Sequence, residues 1–130
     1  MAREARTELI EIIMILKRDI LFLLKPDFDD TALPGPKFIC PYCTFFEGMI
    51  SIFPIIEDYV DIKRIDFERP RHEIVNHIGE ANQSCPTLVL GEGSDRAFST
   101  GQMGDVYFIK GQDKISAYLS NLCGVALVHP

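Results

Sequence analysis

Cys40-Pro41-Tyr42-Cys43 is the stretch of this sequence with the clearest chemistry. Two cysteines separated by two residues can close a small disulfide ring or hold a metal together. The apolar-rich segment 44–50 follows directly and is typical of a helix. Pro41 suits the first helical position, because its φ is preset and it has no N–H to leave unpaired. The pattern therefore predicts Cys40 at the helix N-cap and Cys43 inside the first turn.

This position has a chemical consequence for Cys40. A cysteine at a helix start lies beside unpaired backbone N–H groups and the positive end of the helix dipole. Both favour the thiolate, which is the form that attacks disulfides or binds metal. Cys40 is therefore expected to be reactive toward a disulfide or a metal. If the pair is a redox dithiol, Cys40 is the candidate nucleophile, Cys43 the candidate resolving thiol and Lys37 a candidate minor helper.

The composition indicates one ordinary globular domain. The chain has 130 residues and a net charge of −6, with 47% hydrophobic and 25% charged residues, which suits a single core. Basic residues do not cluster, which argues against nucleic acid or an anionic membrane as partner. Of four cysteines, only Cys40 and Cys43 have a meaningful spacing. This usage favours a reducing, cytoplasmic compartment, with Cys85 and Cys123 as small hydrophobic residues.

Residues 1–18 are interpreted as an N-terminal extension. The apolar run 9–16 contains Glu11 and is much shorter than the roughly 18–20 residues that span a bilayer. Glu8 and Glu11 also do not fit a signal peptide. Two interpretations stay open: an amphipathic helix packed on the domain, or a natural start at Met14, with residues 1–13 as an extension that has no role in the fold.

The rest of the chain alternates between predicted strands and helices. Strands are predicted at 19–24, 59–67 and 87–90, with shorter candidates at 97–98 and 106–109, and helices at 41–53, 71–81 and 114–122. The continuous apolar run 19–24 is typical of a strand buried on both faces. Pro86 stands at a strand entrance, where it cannot donate to the ladder, so it is expected at an edge, a bulge or a cis turn.

The segment 25–39 is a long connection between the first strand and Cys40. Strand-to-helix connections usually take about 2–6 residues. Two interpretations are open: a lid or partner-binding segment beside the cysteines, or a surface insertion that covers sheet edge.

This order of elements resembles the thioredoxin superfamily. The resemblance covers residues 19–122. Cys40-Pro41-Tyr42-Cys43 matches the active-site motif of dithiol glutaredoxins, and the segment 84–89 is similar to their cis-proline strand entrance. The segment 108–113 is similar to their Ile-Gly-Gly turn, with Lys110 at the position of the first glycine. The segments 23–26, 69–71 and 82–84 resemble an uncharacterised bacterial family within this superfamily.

The resemblance implies an α/β, thioredoxin-like three-layer fold with a mixed four-stranded sheet flanked by helices. The domain is expected over 19–124, with the extension 1–18 before it, the inserted loop 25–39 within it and a tail at 125–130.

The resemblance also implies a thiol–disulfide oxidoreductase. Cys40 and Cys43 are the expected catalytic residues, and Tyr42, Cys85 and Pro86 are expected to bind substrate. The expected partner is a disulfide-bearing protein or a glutathione mixed disulfide. No metal or resident cofactor is expected, and glutathione is a candidate reductant. The oligomeric state stays open.

Other hypotheses fit the same residues. In a non-catalytic binding module, Cys40 and Cys43, with or without Cys85, would hold zinc or a shared iron–sulfur cluster. The chain has no second Cys-x-x-Cys, so a complete site would need a dimer or an outside ligand. A third hypothesis is an adaptor with a vestigial motif. If Pro86 is cis, Cys85 faces Cys40, either as a third thiol or as a space-filling residue.

Overall fold

The apolar run Asp19–Leu24 forms β1, at which the sheet changes from parallel to antiparallel pairing. The computed structural model describes residues 18–130. Leu21, Phe22 and Leu23 are fully buried. Because successive side chains of a strand point to opposite faces, both faces of β1 are covered. The prediction of an interior strand is confirmed.

The sheet is mixed and contains five strands. The other four are β2 (Val60–Ile65), β3 (Thr87–Val89), β4 (Gly101–Met103) and β5 (Val106–Lys110). Their order across the sheet is β2-β1-β3-β5-β4. β1 pairs with β2 in parallel, and every other neighbouring pair is antiparallel.

The prediction of four strands is wrong, because β4 adds a fifth. β4 folds back on β5 through the turn at Gly104 and Asp105. Its sequence, Gly-Gln-Met, lacks the apolar alternation by which a strand is recognised. Ala97 and Phe98, predicted as a strand, lie in a turn. The Phe98 ring packs edge-on against the Tyr118 ring at 5.9 Å.

Four helices accompany the sheet in the described part of the chain: α1 (Pro41–Ile52), α2 (Ile56–Tyr59), α3 (His72–Ile78) and α4 (Gln112–Cys123). α3 is shorter than predicted, because Gly79, with a φ of 83°, ends it. Tyr59, predicted to begin a strand, is instead the last residue of α2. Pro54 follows α1 at the predicted helix end.

The core is built from apolar side chains of the sheet and all four helices. Its fully buried members include Phe22, Phe46, Ile56, Ile74, Ile78, Leu88, Ile109, Ile115, Tyr118 and Leu119. On α1, Phe46, Met49 and Ile50 are buried, while Phe45 packs against the core from a less buried position. The helical spacing of these residues therefore marks a core face, as predicted.

A buried carboxylate joins three parts of the fold. Asp19 accepts hydrogen bonds from the Gly91 N–H at 2.7 Å, the Ser94 hydroxyl at 2.6 Å and the Tyr118 hydroxyl. These donors satisfy the oxygens of a carboxylate that would otherwise be costly to bury. They connect the start of β1 to the turn after β3 and to α4.

The inserted loop 25–39 is tied back on itself. Phe28 and Phe38 exchange two backbone hydrogen bonds, of 3.1 and 2.9 Å. The Phe28 ring also stacks on Phe67, with 4.3 Å between centroids and 3° between planes. The loop therefore packs onto the segment that follows β2.

The structure describes only Arg18 of the predicted extension and all of the C-terminal tail. The predicted extension 1–18 lies outside the described residues except for Arg18, which pairs with Asp61 at 3.2 Å. In the tail 125–130, Val125 is buried and residues 126–130 are exposed. Among the helices of residues 18–130, none has the length and hydropathy needed to cross a bilayer.

Candidate thiol site

Cys40 caps the N-terminus of α1, as predicted. Its backbone is extended, with φ −79° and ψ 117°, and Pro41 is the first helical residue. The Cys40 Sγ accepts a hydrogen bond from the Cys43 N–H at 3.2 Å. The first turn of α1 contains no acidic residue. One of the free N–H groups of the helix start is therefore directed at the Cys40 sulfur, where it favours a negative charge.

Cys43 lies behind Cys40 and is 1% exposed. Its Sγ accepts a hydrogen bond from the Leu24 N–H at 3.4 Å, at the last residue of β1. Burial raises the pKa of the Cys43 thiol well above its ordinary value, and the hydrogen bond with Cys40 raises it further. The Leu24 N–H acts in the opposite direction. Cys43 is therefore the inner thiol of the pair, and its burial favours the protonated form.

The segment 82–86 forms the wall opposite Cys40. The Cys85–Pro86 peptide bond is cis, and the Cys40 Sγ lies 3.9 Å from the Cys85 carbonyl oxygen. Burial raises the pKa of the half-buried Cys85 thiol to about 11, against the opposing effect of the Arg71 charge. The structure thus brings Cys40, Cys43 and Cys85 together at one place.

Several hydrogen bonds hold this wall in place. The Lys110 ammonium donates to the Asn82 amide oxygen at 2.8 Å, and the Asn82 amide nitrogen donates to the Ile78 carbonyl at 2.9 Å. The Thr87 hydroxyl donates to the Ser84 carbonyl at 2.7 Å. Lys110, which stands at a glycine position of the glutaredoxin pattern, is therefore engaged in holding the segment.

Arg71 completes the support of the wall, and the sequence did not reveal this role. Its Nη1 donates to the Gln83 carbonyl at 2.7 Å, while Nε and Nη2 donate to the Phe67 carbonyl at 2.9 and 2.6 Å. The backbone N–H of Arg71 donates to the Gln83 side-chain oxygen at 2.7 Å. The only sequence signal was Arg69-Pro70-Arg71, which looks like an ordinary polar turn.

Two exposed apolar side chains flank Cys40. Tyr42, a predicted substrate-binding residue, is 58% exposed on the first turn of α1, and Ile39 is 54% exposed. Lys37, predicted as a minor helper, pairs with Asp29 at 2.8 Å. Its charge is therefore balanced locally. Ile39 and Tyr42 therefore add exposed apolar surface next to Cys40 along the chain.

Among residues 18–130, no group of three or more Cys, His, Asp and Glu side chains is arranged to hold a metal ion. Cys123 is half-buried at the end of α4, and burial raises the pKa of its thiol.

Comparisons with known proteins identify a family. A search of curated proteins and a search of solved structures each found no match. The family described as a protein of unknown function (DUF3088) matches residues 18–127, from the residue before β1 to the C-terminal tail. The matched region contains the whole thiol site, and the chain belongs to this family.

Proposed function

We propose that this protein is a thiol–disulfide oxidoreductase that uses Cys40 and Cys43. One observation carries the proposal. The half-buried Cys40 sulfur accepts the Cys43 N–H at the helix start and faces the Cys85 carbonyl at 3.9 Å. A nucleophilic thiol needs a local stabilisation of its anion together with access to the substrate.

We also propose that the fold is thioredoxin-like. The support is the order of the elements: a buried strand, the Cys-x-x-Cys helix, a parallel strand, a helix, and then antiparallel strands ahead of a last helix. A proline leads into β3 opposite the helix start. This support is separate from the letters of the motif, because it rests on the topology around them.

The first step is an attack on a substrate disulfide, R–S–S–R′. The Cys40 thiolate bonds to one sulfur, the S–S bond breaks, and R′–S⁻ leaves and takes a proton from water. The product is a mixed disulfide between Cys40 and R. Ile39 and Tyr42 offer an apolar rim to the substrate chain.

The second step releases the substrate. The Cys43 thiol loses its proton and attacks the Cys40 sulfur, which forms the Cys40–Cys43 disulfide and expels R–S⁻. Since burial raises the pKa of Cys43, its proton must be transferred as the new bond forms, either to the departing R–S⁻ or to water. Overall, two electrons pass from the dithiol to the substrate.

The cycle requires an external thiol reductant. Two thiols of a reductant such as glutathione, or a dithiol protein, would return the Cys40–Cys43 disulfide to the reduced state. We accordingly propose a reducing, cytoplasmic setting and a disulfide-bearing protein or glutathione mixed disulfide as the partner.

The test is reduction of a protein disulfide with a chemical dithiol as electron source. Cys40→Ser is expected to abolish turnover, because the nucleophile is gone. Cys43→Ser, reduced and then freed of dithiol before the substrate is added, is expected to keep the first step and to accumulate the mixed disulfide, visible as a mass increase equal to the bound substrate. Cys123→Ser, at the end of α4, is the matched control and should behave as wild type. Undiminished turnover by Cys40→Ser would refute the proposal.

A further inference from the structure

Arg71 is a charged side chain in a position where charge is costly. It is 5% exposed, and its guanidinium contacts two backbone carbonyls and the Phe67 ring, which lies 5.3 Å from the guanidinium carbon. No carboxylate within residues 18–130 forms an ion pair with it. Within the described part of the chain, the charge of Arg71 is therefore solvated by dipoles and not cancelled by a carboxylate.

The arginine is connected directly to the thiol site. Its Nη1 is bonded to the carbonyl of Gln83, which is two residues before Cys85. Two residues span at most about 7 Å. Burial lowers the pKa of Arg71, and a negative charge on Cys85, Cys43 or Cys40 would raise it, with the largest effect from Cys85. The hydrogen bond to Gln83 thus holds the guanidinium near the Cys85 backbone, whose carbonyl oxygen lies 3.9 Å from the Cys40 Sγ.

Few other charges act at the same place. Arg69, from the same segment, lowers the pKa of Cys85 less than Arg71 does. The Lys37 charge is balanced by Asp29, and Lys110 is directed to Asn82. α1 has no acidic residue in its first turn. Among these groups, Arg71 combines burial with an unbalanced charge.

We propose that Arg71 is a positioning residue of the thiol site: its side chain fixes the segment 83–86 opposite Cys40, and its uncancelled positive charge favours the anionic form of the neighbouring thiols. The inference rests on the proposed redox function and names how the site keeps its nucleophile reactive. A cation held in a medium of low polarity acts more strongly than one on the surface.

The experiment measures the rate at which iodoacetamide labels Cys40 in the reduced protein, from about pH 5 to about pH 10. The labelled Cys40 peptide is quantified by mass spectrometry. Arg71→Gln removes the charge and keeps hydrogen-bond donors for the carbonyls. Arg71→Met is a second neutral variant, and Arg71→Lys keeps a charge. Arg96→Gln, an exposed arginine stacked on Tyr107 at 4.2 Å, is the matched control.

In Arg71→Gln and Arg71→Met, the pH at which the labelling rate of Cys40 increases should be higher than in wild type. The maximum rate reached at high pH should be unchanged. The rate near pH 7 should then fall about fivefold. Arg71→Lys and Arg96→Gln should stay within about twofold of wild type. A merely structural role would lower the melting temperature without moving the profile.

Two results would overturn the inference. One is a fall of less than about twofold in the neutral variants, and the other is an Arg71→Lys profile displaced as far as theirs. Labelling requires no substrate or turnover. A wild-type protein that reduces no disulfide would refute the proposed function and still leave the effect of Arg71 measurable.

Discussion

Cys85 lies opposite the nucleophile, yet burial limits its chemistry. Because the pKa of its thiol is raised to about 11, Cys85 is overwhelmingly protonated at pH 7. A thiol in that state is a poor competitor for a disulfide. The burial of Cys85, which keeps its thiol protonated, therefore favours the space-filling interpretation of this residue.

We predict that Cys85→Ala keeps disulfide reduction within about twofold of wild type, because the carbonyl that faces Cys40 belongs to the backbone. Turnover of the variant and of wild type is measured under the same dithiol. A loss of about tenfold or more would instead assign Cys85 a part in the reaction.

At Gly101, in β4, the packing leaves no room for a side chain larger than hydrogen. A Cβ at this position would lie 2.4 Å from Cζ and 2.6 Å from Cε2 of Phe108. Phe108 is 5% exposed and is the strand partner of Gly101. The aromatic ring therefore occupies the space that any side chain at Gly101 would need.

We predict that Gly101→Ala lowers the free energy of unfolding by about 1–3 kcal/mol, because the Phe108 ring must move. The matched control is Gly48→Ala, on α1, where a Cβ meets no atom within 4 Å. The control should be neutral or stabilising by up to about 1 kcal/mol, since alanine favours a helix. Chemical denaturation of the three proteins checks both expectations, and equal effects at the two glycines would contradict them.

At this scale, the sequence revealed the residues whose role depends on neighbours along the chain. Cys40, Pro41 and Cys43 form a local pattern, so the N-cap could be predicted. Arg71 could not, because its partners Phe67 and Gln83 are brought to it by the fold. Nothing in the letters of a polar turn indicates that one arginine will be buried.

The elements of the fold are held together at Asp19 as well as through the apolar core. This carboxylate accepts hydrogen bonds from groups in the turn after β3 and in α4. An unsatisfied buried donor costs about 1–3 kcal/mol. Removing one side chain would leave several donors without an acceptor.

We predict that Asp19→Ala lowers the free energy of unfolding by about 3 kcal/mol or more, because it leaves buried donors such as the Gly91 N–H without an acceptor. Asp105→Ala, in the exposed turn between β4 and β5, should change stability by less than about 0.5 kcal/mol. Thermal and urea unfolding measure both. A loss at Asp19 no larger than that at Asp105 would show that the three contacts are replaced by water.

The elements themselves were predictable to different degrees. β1 and α1 have long apolar patterns, so their position and burial followed from the sequence. β4 has three residues and takes its strand conformation from pairing with β5. α2 spans four residues between Pro54 and β2, which is too short for a helical period to appear. Short elements of this kind depend on tertiary pairing.

At the scale of the whole molecule, buried acids give stability a dependence on alkaline pH. Burial raises the pKa of Cys43 and Tyr118 well above their ordinary values of 9.0 and 10.0. The hydrogen bond to Asp19 adds to the effect at Tyr118. Both groups therefore hold their protons more tightly in the folded than in the unfolded chain. Their contribution to stability is full below these ordinary values and is lost as the pH rises above them.

We predict that the melting temperature falls as the pH is raised from about 9 upward. Tyr118→Phe removes one of the groups with a raised pKa, so the decline above about pH 10 should be shallower, although the variant is less stable at neutral pH. Calorimetry at a series of pH values gives both slopes. An unchanged slope in Tyr118→Phe would exclude Tyr118 as a source of the alkaline loss.

The mixed α/β class of the molecule could be predicted because apolar runs of strand length alternate with helical patterns. The sheet order β2-β1-β3-β5-β4 could not be predicted in the same way. It depends on which strand edges meet, and the sequence alone carries no direct record of that. The resemblance implied the wall opposite Cys40, but not the hydrogen bonds from Lys110 and Arg71 that hold it.

The amide of Leu24 is a built-in spectroscopic reporter. It ends β1 and donates to the Cys43 sulfur at 3.4 Å, so its proton senses the electron density on that atom. A thiol sulfur and a disulfide sulfur differ as acceptors. The Leu24 cross-peak in a nitrogen–proton correlation spectrum should therefore shift when the pair is oxidised, while that of Leu21, deeper in the same strand, stays close to its place. The redox state of the protein could then be followed in solution without any added dye or label.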